Sequence, residues 1–377
     1  MKLKQILCLL IICLGFANCS NDDIPEPTPV RTILVYMMAN NSLDSYATKN
    51  IESMIDAVTQ DGLNGGNLIV FHAARGAEPE LLQIKKENGV ANKFHIKEYT
   101  SLDPTDPVVM KQVLQDVISL YPANSYGLIL WSHGTSWLPS EYKTMSKAFG
   151  QHGSNWMEID ELAQGIPDDL FDFILFDACY MASVECAYEL RNKADYILAS
   201  PTETMGDGWP YAEMVPQLFV NNLRLETICQ TFYNYYNRLS GDYRTATVSL
   251  TQTSELENLA NIVHEILENK TEIELISTDR SQMQRLEYLP NSNGMLYDFS
   301  DFIRQLATDE QYARFTACLH NVVQYEAHTP TAFFAKPNYS YTIDHCCGLT
   351  SFVPQAESEL YNWYKAHVSW YKAVFPQ

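Results

Sequence analysis

Apolar and polar positions follow two rhythms along this chain. "TILVYMMA" (32–39) and "NLIVFHAA" (67–74) are apolar throughout, which predicts strands buried on both faces. Between them, "SLDSYATKNIESMIDAV" returns apolar residues every three or four positions, which predicts an amphipathic helix capped by Ser42 or Asp44. "DPTDPVVMKQVLQDVISLY" predicts a second helix, opened by Asp106 and Pro107 because proline fits the first turn. "SYGLILWSHG" predicts a third strand ending on Ser132, His133 and Gly134. A long polar segment (135–157) then leads to a short helix, "EIDELAQGI". Next come a strand over 171–178, a helix "MASVECAYELRN" and the strands "ADYILAS" and "TATVSLTQ" (245–252).

Apolar strands alternating with amphipathic helices predict an α/β fold: a mostly parallel sheet with helices on both faces. Ligands bind such sheets at the carboxyl ends of the strands. Both "SHG" and "DAC" (177–179) fall at such ends, the first indication that they act together. From about residue 253 the texture becomes helical, in "ELENLANIVHEILENK", "LYDFSDFIRQLA" and "YARFTACLHNVVQYEAH". "GLTSFVP" reads as a late strand, and a Tyr/Trp-rich tail follows. Residues 253–377 are therefore expected to form a mainly helical region packed on the sheet domain, 32–252.

Composition narrows the function. A hydrophobic content of 46% gives 377 residues ample core, and 46 acidic against 25 basic residues leave a net charge of -21. Such a charge argues against nucleic acid, whose phosphates it repels, and is compatible with cationic substrates. The first residues, "MKLKQILCLLIICLGFANCS", carry lysines, an apolar run and small residues before a cysteine. They resemble a bacterial lipoprotein signal over 1–18 with lipid on Cys19, although Ala17-Asn18 departs from the smaller residues usual there. A plain secretory signal is the alternative. "SNDDIPEPTPV" suits an extended tether over 19–31, and its acidic start resembles the surface-export signals of some Gram-negative lipoproteins. The expected location is outside the cytoplasm, lipid-anchored at the outer membrane or cell surface, or secreted.

Six cysteines lie beyond Cys19, with no disulfide framework and no C-x-x-C pairs for zinc. Cys179 stands out by position. A cysteine nucleophile needs a base and needs donors for the oxyanion formed on attack. His133 is the candidate base, and Gly134 leaves room for a backbone N–H to approach a carbonyl. A helix beginning near Ala182 would favour the thiolate. Read from spacing alone, the plainer account is a core cysteine and a strand-ending histidine.

Resemblance shifts that balance. "YGLILWSHGTSW", "ILFDACYMASVECAYEL" and "SPTETMGDGWPY" resemble the clostripain family of cysteine peptidases, grouped with caspases, gingipains and legumain. "TILVYMMANNSLDSYA" and "GLTSFVP" extend the likeness from about residue 31 to the C-terminus. The His-Gly and Ala-Cys pairs stand in order, 46 residues apart, on apolar strands. The resemblance implies a caspase-like three-layer α-β-α sandwich. It implies His133 as base, Cys179 as nucleophile, and the N–H groups of Gly134 and Cys179 as oxyanion hole. It further implies cleavage after arginine, also lysine, through a thioester acyl-enzyme. A buried cation requires a carboxylate. Asp177 and Asp207 are the candidates, with Trp209 as a wall. Their ordinary alternatives are a helix cap, a glycine-flanked turn and packing.

The family also resembles caspases in being cut between its His and Cys strands during activation. The loop "LPSEYKTMSKAFGQHGSN" offers Lys143 and Lys147 and no arginine. Cleavage between Lys147 and the small Ala148 is preferred. Some relatives use calcium, which needs several convergent oxygens, but no EF-hand-like loop is visible and no metal or other cofactor is expected to be required. "HEILE" (264–268) lacks the second histidine of a zinc motif. His72 and His152 have no matching partners. The expected protein is a monomeric endopeptidase acting on peptides with Arg or Lys before the scissile bond, and meeting a membrane only through its lipid. The rivals are a catalytically silent cell-surface binding lipoprotein on the same scaffold and a metal hydrolase.

Overall fold

The computed structural model describes residues 28–139, 149–288, 294–334 and 336–375 of the chain. β1 (Arg31–Met38) is buried at every position. Successive side chains of a strand point to opposite faces, so such a run needs cover on both. Ile33, Val35 and Met37 share one core with Ile51, Met54 and Val58 of α1 (Asp44–Gln60). Leu34, Tyr36 and Met38 share the other core with Met110, Val113 and Leu114 of α2 (Pro107–Leu120). Each such aliphatic or aromatic side chain contributes about 1.5–3 kcal/mol by leaving water. The start of α2 is as expected: Asp106 Oδ1 accepts from the Val108 N–H at 2.8 Å, with Pro107 in the first turn.

β2 (Asn67–Ala73), β3 (Glu80–Glu87), β4 (Val90–Glu98) and β5 (Ser125–Trp131) follow. β6 (Phe149–His152) and β7 (Asn155–Met157) form a separate ribbon before α3 (Ile159–Gly165). β8 (Phe171–Asp177), α4 (Val184–Glu189), β9 (Ala194–Ala199), α5 (Tyr211–Leu218), α6 (Leu225–Asn237) and β10 (Thr247–Gln252) complete this half. The C-terminal half contains α7 (Leu256–Leu267), α8 (Glu272–Ile276), β11 (Leu296–Asp298), α9 (Phe299–Leu306) and α10 (Asp309–Val322). It continues through β12 (Val323–His328), β13 (Thr331–Phe334), β14 (Lys336–Thr342), β15 (Thr350–Phe352), α11 (Glu359–His367) and α12 (Ser369–Val374).

The main sheet has nine strands in the order β12-β10-β9-β8-β5-β1-β2-β3-β4. Its centre, from β2 through β1, β5 and β8 to β9, is parallel, and both edges are antiparallel. α1, α5 and α6 cover one face, and α2, α3, α4 and α7 the other.

Three expectations need correction. The helix expected over "YARFTACLHNVVQYEAH" stops at Val322, and "VQYEAH" becomes β12, because pairing with β10 outweighs local helical preference. The sheet therefore crosses the boundary expected after residue 252. "LYD" (296–298) is likewise a strand, paired with β15 away from the main sheet. The helix expected from 181 begins at Val184, since Met181–Ser183 stay extended: the Thr350 N–H donates to the Ala182 carbonyl at 2.9 Å. One buried carboxylate ties the C-terminal region to α4. Glu185 Oε1 accepts from the Phe352 N–H at 2.8 Å and from the Tyr364 hydroxyl at 3.1 Å.

Candidate active site

β5 and β8 are parallel neighbours whose register brings Trp131 beside Asp177. The pairing runs one step further, with the Ser132 N–H donating to the Asp177 carbonyl at 3.3 Å. His133-Gly134 and Ala178-Cys179 therefore leave adjacent strands at the same level. Both pairs line one cleft of about 500 Å³ at the carboxyl ends of the strands. Gly134 is needed for this approach. A Cβ there would come to 2.8 Å from the Cys179 carbonyl oxygen and 2.9 Å from Met181 Sδ. From the far side the Gly150 N–H donates to the His133 carbonyl at 2.9 Å, so β6 pins the turn.

The His133 ring is half-buried and tilted towards Trp156, at 6.2 Å between centroids. Its Nε2 lies 2.9 Å from the exposed Ser42 hydroxyl. Neither expected cap serves α1: the helix begins at Asp44 with no side-chain cap, and Asp44 accepts from the Arg75 N–H. Ser42 holds the histidine instead. The sequence carried no separate signal for that contact, because the two residues are 91 positions apart.

Cys179 is half-buried at the floor of the cleft. Its sulfur accepts from the Thr204 N–H at 3.3 Å and donates to the Thr204 carbonyl at 3.7 Å. Burial and, after it, the Glu203 carboxylate push the thiol up to about 12, against the pull of the Thr204 N–H. The sulfur is therefore held as a thiol. The helix expected to stabilise a thiolate starts too late, and its first turn is capped by Ser183, which accepts from the Cys186 N–H.

Asp177 lines the cleft yet is buried. Its Oδ2 accepts from the Tyr211 hydroxyl at 2.9 Å and the Trp209 N–H at 3.3 Å. Burial raises the carboxyl to about 6, with both hydrogen bonds opposing the shift. Asp207 and Trp209 are not in the lining. Gly208, in a left-handed turn (φ +69°), takes the close position on the Asp177 carboxylate, where a Cβ would lie 2.5 Å from Oδ2. Asp207 is turned outward, its carbonyl accepting from Asn50. The Trp209 indole packs in the core on Phe232 at 4.4 Å. The tryptophans that do face the cleft are Trp131 and Trp156.

Glu203 and Phe333 also line the cleft. Glu203 sits inside "SPTETMGDGWPY" without any spacing that marks it, and Phe333 arrives from β13 in the C-terminal region. Lys143, Lys147, Ala148 and Cys19 lie outside the described residues. Among the described residues no group of three or more His, Cys, Asp or Glu side chains is placed to hold a metal ion, and no helix is long and apolar enough to cross a membrane.

A mostly parallel sheet with His-Gly and Asp-Ala-Cys at adjacent carboxyl ends is a caspase-like peptidase scaffold. The chain belongs to the clostripain family, whose sequence model matches residues 35–375. It is 27% identical over 219 residues to clostripain of Hathewaya histolytica, a match spanning 50% of this chain and 42% of that relative. The chain thus spans less than half the length of that relative. An inactive zymogen of a C11 protease from Parabacteroides distasonis superposes with a TM-score of 0.85 at 37% identity, covering 93% of this chain and 99% of that one. A secreted C11 cysteine protease from Bacteroides thetaiotaomicron, in complex with an irreversible peptide inhibitor, gives a TM-score of 0.80 at 29% identity, covering 92% and 98%.

Proposed function

We propose that the protein is a cysteine endopeptidase that cleaves after arginine or lysine, with Cys179 as nucleophile and His133 as base. The observation that carries this reading is the matched exit of His133 and Cys179 from neighbouring parallel strands into one cleft. Cys179 Sγ attacks the scissile carbonyl while His133 takes the thiol proton. The backbone N–H groups of Gly134 and Cys179 receive the oxyanion. Collapse forms the thioester as His133 gives its proton to the departing amine. Water, deprotonated by His133, then releases the acid and restores the thiol. Ser42 orients the ring during both transfers.

Asp177 receives the basic side chain. At neutral pH a carboxyl with a pKa of about 6 is mostly ionised, and Trp131 and Met205 supply apolar wall for the aliphatic stem. The sulfur donates to Thr204 and must release that bond before attack. That arrangement fits a precursor activated by cleavage between the His and Cys strands, for which Lys147-Ala148 is the proposed site. Lipid on Cys19 would hold the enzyme at the bacterial surface.

The test compares native protein with Cys179→Ala on fluorogenic peptides ending in Arg, Lys, Asp and Asn. Turnover is expected for Arg and Lys with native protein only, insensitive to chelators and abolished by thiol alkylation. Equal rates for the two proteins would end the reading, and a preference for Asp would remove Asp177 as the cation reader. Lys147→Ala is expected to block formation of the two-fragment form, and an unchanged fragment pattern would exclude that site.

A further inference from the structure

The link between β1 and α1 is short and polar, yet Asn41 within it is buried. Its Nδ2 donates to the Met38 carbonyl at 2.8 Å and to the Gln151 carbonyl at 2.9 Å, and lies 3.4 Å from Ser132 Oγ. Its Oδ1 accepts from the Leu43 N–H at 2.8 Å, which bends the chain across Ser42. The buried Ser132 closes the set. Its hydroxyl donates to the same Met38 carbonyl at 2.8 Å and accepts from the Gln151 N–H at 3.0 Å. Two buried side chains thus fasten the ends of β1 and β5 to β6. Every segment they fasten adjoins the base. Ser132 precedes His133, Ser42 follows Asn41 and meets His133 Nε2 at 2.9 Å, and Gly150, beside Gln151, holds the His133 carbonyl.

We infer that Asn41 is a positioning residue for His133, with Ser132 as its partner, and that it acts by fixing both the turn that carries the ring and the turn that delivers Ser42 to it. This rests on the peptidase reading above. Ser42 is exposed, so its reach to the ring depends on the bend that Asn41 Oδ1 imposes. The chemistry calls for an amide. Two carbonyls need donors and one N–H needs an acceptor, and an asparagine supplies both on a short arm. A carboxylate would set an oxygen against the Met38 and Gln151 carbonyls, and an apolar side chain would leave the Gln151 carbonyl without this donor. β6 opens at Phe149, just past the proposed Lys147-Ala148 cleavage point. The network therefore keeps β6 and the base seated when the chain is cut.

The experiment measures kcat and KM of the processed full-length enzyme on a peptide ending in Lys, for Asn41→Ala, Asn41→Asp and Ser132→Ala, each alone and combined with Ser42→Ala. Asn41→Ala is expected to lower kcat by roughly 30–100-fold with KM within about twofold, since a misplaced base slows proton transfer without weakening binding. Asn41→Asp, of the same size, is expected to fall at least as far, and Ser132→Ala by about tenfold. The second mutation separates positioning from mere support of the fold. Ser42→Ala is expected to lower kcat of the native enzyme, and to change it by less than about twofold once Asn41 is alanine, because the hydroxyl is no longer delivered. Where Asn41→Ala does not fold, the same cycle on Ser132→Ala decides. An unchanged kcat in the single variants, a rise in KM in place of the fall in kcat, or a Ser42→Ala effect that is absent in the native enzyme or undiminished in the variants overturns the inference. Native cleavage that Cys179→Ala abolishes leaves the peptidase reading standing in each case. Failure of the native enzyme to cleave any peptide overturns both.

Discussion

Cys179 and Cys186 belong to the same strand-loop-helix unit, and their thiols are nearly alike. Burial pushes each up to about 12, and each sulfur has a polar neighbour, Thr204 for one and Ser136 for the other. What separates them is place. Cys179 leaves the carboxyl end of β8 into a cleft that it shares with His133. Cys186 lies on α4, 1% exposed, inside the same core against which Cys179 packs from the cleft side. Neither thiol acidity nor hydrogen bonding singles out the proposed nucleophile here. Access, and a base arriving from the next strand, do.

The sharpest way to break that comparison is to exchange the losses. Cys179→Ala is expected to lower kcat/KM by about 10³-fold or more, while leaving thermal stability nearly unchanged. Cys186→Ala is expected to keep turnover and cost about 1 kcal/mol in urea unfolding, from a small core cavity. If the activity losses were reversed, the assignment of Cys179 would fall.

Asp177→Asn tests the strand end itself. Loss of the carboxylate is expected to lower kcat/KM for Arg and Lys peptides by about 10–100-fold. The same variant carries a pH signature. The native carboxyl titrates at about 6, above the roughly 3.9 of an unfolded aspartate, so the folded state binds that proton more tightly. The Asp177 contribution to stability is therefore fully present below pH of about 4, declines as pH rises, and has lost its increment of about 3 kcal/mol above pH of about 6. Glu185 and Asp298 are also raised by burial. The difference between native and Asp177→Asn curves isolates Asp177, and parallel curves would refute its raised pKa.

The smallest effect is expected at Ser42. Its hydroxyl touches the His133 ring from an exposed position. Ser42→Ala should lower kcat by roughly threefold to tenfold with KM unchanged, as expected for a group that orients a base. An unchanged kcat would show that the Ser42 hydroxyl does not orient the base.

The parallel core of the sheet was legible because β1, β2, β5 and β8 are apolar at almost every position, which only cover on both faces accommodates. α2 was legible down to its cap, since Asp106-Pro107 is a local device. The β3–β4 hairpin also carries a local signal. Asn88 and Gly89 both take positive φ, 51° and 84°, and Asn-Gly is a strong hairpin turn. β12 was not legible in the same way. "VQYEAH" continues a helical pattern, and only β10 lying beside it makes it a strand.

For the site, the chain alone determined the residue types at two strand ends: a histidine with a glycine behind it, and a cysteine after an aspartate. These follow from local sequence, because strand ends and tight turns are set by their own few residues. The tertiary structure decided everything that needs two distant segments in contact. It placed Gly134 against Cys179, Ser42 against His133, and Thr204 against the Cys179 sulfur. It also turned Asp207 and Trp209 away from the cleft, through the one left-handed residue between them, Gly208. Side-chain direction at such a turn depends on what the backbone packs against, and that partner, Asp177, is thirty-odd residues upstream.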